Sequence, residues 1–82
     1  MSTTPPKALD VRPLPTDRKL QAILAVFEDL EADGSFVLVD DQDPATVRRR
    51  IEEAHPGEIR WTYLQRGPRV WYARLVRLRV EA

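Results

Sequence analysis

Three carboxylates, Asp40, Asp41 and Asp43, fall within four residues of one another in the stretch "LVDDQDP" at Leu38–Pro44. Carboxylates this close can hold a hard cation such as Mg²⁺ or Ca²⁺ through oxygen, or work as an acid/base pair. The same residues are also what the seam between a strand and a helix requires. The cation reading lacks the glycine and the distal glutamate of an EF-hand loop. Asp43 followed by Pro44 is a helix-start signal, because the carboxylate can accept orphan N–H groups of the first turn and proline suits the first helical position. Asp40 and Asp41 are left without a role by that account.

Other residues with chemical capacity are scattered. Asp10 and Arg12 lie two apart and can pair with each other, or offer the arginine to an anion. His55 is the lone histidine, so a transition-metal or haem site has no second soft ligand nearby, and a helix C-terminus suits its partial charge better. The run Arg48–Arg50 spreads around more than half a helical turn and reads as a solvated face; an RNA contact would need Arg74, Arg77 and Arg79 to join it in one patch. Trp61 and Trp71 share phase with core positions and read as a cross-strand pair. Serines and threonines show no His/Asp partners, no glycine-rich phosphate loop is present, and the absence of cysteine excludes disulfides, persulfide chemistry and a thiol nucleophile in this chain.

These residues must be positioned by the elements around them. Ala8–Val11 alternates like a short strand before the prolines of "RPLPTD" break the pattern. A helix is expected from about Pro15–Asp17, with Leu20, Ile23, Leu24, Phe27 and Leu30 as its buried stripe and Arg18, Lys19, Gln21, Glu28, Asp29 and Glu31 covering the rest. Asp33 with Gly34 supplies its stop. "SFVLVD", residues 35–40, is a run of strand formers whose shortness argues for a buried strand. A second helix over Pro44–His55 turns Val47, Ile51 and Ala54 inward and ends at "HPG", where Pro56 cannot continue the ladder and Gly57 permits a left-handed turn. Glu58–Leu64 and Val70–Val80 form a hairpin joined by "QRGPR".

The resulting order, β-α-β-α-β-β, predicts an α/β (α+β) two-layer sandwich: a four-stranded mixed sheet with both helices on one face, the first strand, helix and second strand forming a right-handed crossover. The other face, carrying Val37, Val39, Leu64 and Val76, is left uncovered and is either a candidate partner surface or a half-apolar solvent face. At 82 residues the chain has room for one hydrophobic core, so residues 7–82 are expected to form a single domain behind a polar, Pro-rich leader at residues 1–6. With 43% apolar and 32% charged residues it is globular in composition, and no apolar run approaches the ~20 residues of a membrane span. The start lacks a basic region followed by an apolar stretch, which points to a cytoplasmic location. The formal charge is zero but divided: residues 1–47 hold 4 Lys/Arg against 9 Asp/Glu, and residues 48–82 hold 9 Arg against 4 Glu. Regular apolar patterns in both halves imply that they pack together and offset each other's charge.

Taken together, "LDVRPLP", "GSFVLVDDQDP", "HPGEIRWTYLQRGP" and "VWYARL" resemble the bacterial family called domain of unknown function 2249, whose members look like relatives of the TusA sulfur-carrier fold. The resemblance spans about residues 8–77 and implies the same sandwich that periodicity indicates. It also implies members that stand alone or beside hemerythrin-like domains, linked to nitrogen-oxide and respiratory metabolism. Two departures bear on chemistry. Sulfur carriers of this type hold a persulfide on a Cys-Pro pair ahead of the first helix, and "RPLPTD" has prolines without cysteine, which blocks sulfur transfer. Family members commonly read "NDHDP", and Gln42 stands where their histidine would be.

The expectation is therefore a small, non-enzymatic interaction or accessory module without cofactor or metal, which binds another protein, not a membrane, through the second loop and the open sheet face. A homodimer through that face is one form of this. The alternative is small-anion or metal binding at the end of the sheet that gathers Asp10, Arg12, Asp40, Asp41, Gln42 and Asp43, near the starts of both helices. RNA binding through the arginine-rich C-terminal half is a second, less favoured alternative.

Overall fold

A computed structural model describes residues 7–79. The expected leader at residues 1–6 and the expected strand end at Val80 lie outside the described residues. The elements follow the order β1 (Lys7–Asp10), α1 (Thr16–Glu28), β2 (Ser35–Asp40), α2 (Ala45–Ala54), β3 (Ile59–Arg66) and β4 (Trp71–Arg77). The four strands form one mixed sheet in the order β1-β2-β4-β3: β1 runs parallel to β2, and β4 lies antiparallel to both β2 and β3. Because β4 sits between β2 and β3, the β3–β4 hairpin folds back into the middle of the sheet. Both helices cover one face, as the alternation predicts.

The core lies between those layers. Ile23 and Phe27 of α1 and Ile51 of α2 meet Phe36 and Leu38 of β2, Ala73 and Leu75 of β4 and Trp61 of β3. Val11, just past β1, closes it below, and its N–H donates to the Val39 carbonyl at 2.9 Å. Alternation along each strand follows from this: Phe36 and Leu38 point to the helices, whereas Val37 and Val39 point to the helix-free face.

Several local expectations are corrected. The buried stripe of α1 is Lys19, Ile23 and Phe27, an i, i+4, i+8 row, with Leu20 and Leu24 flanking it half-buried. Lys19 thus belongs to the inward face and not the solvated one. The helix ends at Glu28, earlier than Asp33–Gly34, and the left-handed conformation after it is taken by Asp33 (φ 69°), a short polar residue that tolerates it, with no such φ at Gly34. Gly57 does adopt a left-handed φ, 74°, after α2. Trp61 and Trp71 are not partners. Trp61 faces Leu75 across the hairpin, and a bulge between Tyr63 and Gln65 shifts the pairing so that Trp71 faces Arg66.

Candidate functional site

The "DDQDP" loop carries the chain from the end of β2 to the start of α2, at the same end of the molecule as the first turn of α1. Asp40 has the parity of Phe36 and Leu38, so β2 turns its carboxylate inward, where it is 2% exposed. Lys19, 5% exposed, meets it there. Its Nζ donates to Asp40 Oδ1 at 2.8 Å and to Asp41 Oδ1 at 2.7 Å. The Gln42 N–H donates to Asp40 Oδ1 at 3.3 Å, closing the loop on itself. A single ammonium therefore answers for both aspartates that the sequence left without a role.

The electrostatics follow from this geometry. Burial by itself disfavours the charged form of Lys19, but the hydrogen bonds to Asp40 and Asp41 outweigh it and raise its pKa above the ordinary value. The Lys19 hydrogen bond holds the Asp41 carboxyl below its usual range. A lysine kept protonated in this way is no amine nucleophile. It also occupies the place that a cation would take between the two carboxylates.

Asp43 does two jobs. Its Oδ1 accepts the Ala45 N–H at 3.1 Å and the Tyr63 hydroxyl at 3.2 Å, so it caps the first turn of α2 while tying that helix to β3. The helix itself begins at Ala45, with Pro44 buried just before it. Burial first, then the hydrogen bond to Asp43, raises the pKa of Tyr63.

Asp10 and Arg12 form a separate, exposed pair. Arg12 Nη2 donates to Asp10 Oδ2 at 2.6 Å, Nε to Oδ1 at 2.9 Å, and the Arg12 backbone N–H to the same Oδ1 at 3.0 Å. These contacts, the side-chain hydrogen bond first, pull the pKa of Asp10 down to about 2. The six candidate residues are thus not one site: Asp10 and Arg12 engage each other, Asp40 and Asp41 engage Lys19, and Asp43 engages α2 and β3.

Between the first turns of α1 and α2 lies a cleft of about 310 Å³, floored by Lys19 and Asp40 and walled by Thr16 and Leu20 on one side and Val47 and Arg50 on the other. Asp17 and Asp43 also line it, so carboxylates outnumber cations, which disfavours an anion. Among the described residues no group of three or more His, Cys, Asp or Glu is placed to hold a metal ion.

The remaining expected residues disperse. Arg77 Nη1 donates to the Glu28 and Leu30 carbonyls at 2.8 and 2.9 Å, capping the C-terminal end of α1. Arg79 pairs with Asp33 at 3.4 Å, and Arg48 with Glu52 at 3.0 Å on the far side of α2. The arginines therefore do not assemble one basic patch. His55 sits at the end of α2, its Nε2 2.9 Å from Glu28 Oε2 and its ring against Phe27, where it joins the two helices.

Sequence reasoning missed Lys19. A signal was available: Lys19 and Asp40 both fall at core-phase positions, with opposite charge. Among the described helices none is long and apolar enough to cross a membrane.

No curated protein and no solved structure matches the chain significantly. A family model does match, over residues 8–77, a span that begins in β1 and ends with β4 and contains the whole Lys19–Asp40–Asp41 cluster. The chain belongs to the family described as "Uncharacterized conserved protein (DUF2249)".

Proposed function

We propose that this chain is a small non-enzymatic accessory module that docks a protein partner on the helix-free face of its sheet. The observation that supports it best is a set of half-buried apolar side chains on the two central strands of that face, Val37 of β2 and Tyr72 and Val76 of β4, with Arg74 between the last two and Val39 buried opposite Tyr72. Beside it stands Leu64, the extra residue of the β3 bulge and, at 56% exposed, the most open large apolar side chain among the described residues. Apolar side chains gathered on an otherwise polar face suit a partner. The loop cluster supports the same reading from the other side, since its carboxylates are already engaged and give the loop a fixed shape. A cytoplasmic, TusA-like module in a respiratory or nitrogen-oxide setting belongs to the same proposal.

Site-specific photocrosslinking in cells tests it. A photoreactive residue at Thr62, exposed on the helix-free face, is expected to give a discrete adduct that Val76→Glu abolishes; the same residue at Glu53, on α2, gives none. Adducts from Glu53 alone, or turnover of a substrate by the pure protein, would refute the reading. The cleft gives a ligand-binding reading its one support, a small space between two helix starts. Amide shifts at Thr16 and Val47 on titration with phosphate or Mg²⁺ would establish that reading instead.

A further inference from the structure

Arg60 of β3 and Arg74 of β4 stand on the helix-free face as diagonal neighbours: Arg60 is opposite Val76, and Arg74 is opposite Thr62. Diagonal positions across an antiparallel pair are roughly 7–8 Å apart. Both side chains are exposed, and among the described residues neither forms a salt bridge or a side-chain hydrogen bond. Asp10, the one carboxylate that the described strands place on that face, is committed to Arg12, and Glu58, two residues before Arg60, lies 3.6 Å from His55 Nδ1. Among the described residues these two like charges therefore stand together without an ion-pair partner, Arg74 between Tyr72 and Val76 and Arg60 opposite Val76. In a chain whose formal net charge is zero, this is a local excess of positive charge.

The size of the face limits what can cover it. At ~4.8 Å between strands and ~3.3 Å per residue, a sheet of this size offers roughly 400 Å². A stable protein–protein interface takes about 800 Å² from each partner, so whatever covers this face is held weakly, a second copy of this chain included. A second copy would also bring the two arginine pairs toward each other. A strand laid on a sheet face finds no backbone partners, whereas a helix brings its own hydrogen bonds and is ~10 Å wide. Bases would stack on aromatic rings, and Tyr72 is the one aromatic that the described strands place on that face.

We infer that the helix-free face takes an amphipathic helix with an apolar stripe and acidic residues along one flank. The apolar stripe of the helix lies along Val37 of β2 and the flanking Tyr72 and Val76 of β4, and acidic residues on its β3 side meet Arg74, which stands between those two, and Arg60 beyond Val76. This rests on the docking reading above and adds the chemistry of the partner.

The test uses the full chain, ¹⁵N-labelled, and two synthetic stapled helical peptides with the same leucine stripe, one flanked by glutamate and one by lysine. The glutamate peptide is expected to shift the amides of Val37, Arg60, Arg74 and Val76. Arg60→Glu with Arg74→Glu should weaken it about tenfold and transfer the preference to the lysine peptide; circular dichroism confirms that these exposed substitutions leave the fold intact. Equal binding of both peptides, or no shift with either at millimolar concentration, would overturn the inference. So would the same amides shifting with oligouridylate, or being buried in a dimer seen by sedimentation. If the Thr62 photo-adduct forms while the glutamate peptide fails, the docking face stands and the acidic helix is wrong; if neither occurs, both fall.

Discussion

Lys19 and Asp40 form a buried ion pair at 2.8 Å, joining the first turn of α1 to the last residue of β2, with Asp41 completing the ammonium's environment from the surface. Removing one member of such a pair strands the other charge out of water. Lys19→Met is therefore expected to destabilise the protein by about 3–5 kcal/mol, and the double variant Lys19→Met/Asp40→Leu to recover most of that loss. Urea unfolding followed by far-ultraviolet circular dichroism measures both. Equal losses in the single and double variants would contradict the pairing.

The acid limb of stability should follow the carboxylates. Asp10 titrates at about 2 when folded against an ordinary 3.8, so the stability it contributes is complete above the ordinary value and is lost as pH falls through about 2. Asp41 acts with the same sign. In Arg12→Ala, the Asp10 carboxyl carbon followed by NMR should titrate near 3.8, and the folded protein should lose less stability across that acid window.

The alkaline limb carries the opposite sign. Lys19 is raised above 10.5, so its contribution is complete below that value and fades as pH rises through the folded pKa. Thermal unfolding between neutral pH and about 11 should show a decline in the wild type that is smaller in Lys19→Met/Asp40→Leu, where Tyr63, whose pKa is also raised, still contributes.

Two glycines with left-handed backbones should respond differently to alanine. Beyond Gly57, at φ 74°, an added Cβ meets open space, so Gly57→Ala costs about 1 kcal/mol for the conformation alone. At Gly67 the added Cβ would lie 2.6 Å from Trp71 Cζ2, which adds a clash to the strain. Gly67→Ala should cost about 2–4 kcal/mol and change the tryptophan fluorescence, readable in one denaturation series.

Arg77 closes α1 from a strand. Hydrogen bonds to a charged donor stabilise by about 1.5–3 kcal/mol, and the partial exposure here places Arg77→Met near the lower end. Hydrogen exchange at Asp29 and Leu30 should quicken in that variant, while Arg77→Lys gives an intermediate rate because an ammonium cannot reproduce the planar geometry of the guanidinium.

The fold was legible because its elements carry strong periods. The Ile23–Phe27 spacing allows one packing face for α1, "SFVLVD" is too short and too rich in strand formers to be a helix, and the family match over residues 8–77 agrees with that reading. The loop cluster was only half legible. Asp43–Pro44 is a local signal, read from neighbours in sequence, and its capping contact is present. Lys19 and Asp40 are 21 residues apart, and lysine is so seldom buried that composition argued against the phase that placed it inward. The Leu64 bulge and the dispersal of Arg77 and Arg79 depend on how β4 enters between β2 and β3, which no local pattern reports.

The parity of Asp40 has a consequence for folding errors. If β2 paired one residue out of step, its alternation would invert: Val37 and Val39 would still find an apolar core, so hydrophobic burial alone would penalise the mistake weakly. Asp40 would turn to the open face, however, and the Lys19 ammonium would keep one carboxylate, Asp41, in place of two. The adjacent aspartates thus mark the register: the correct pairing gives the buried charge two partners, and the nearest wrong one gives it a single one.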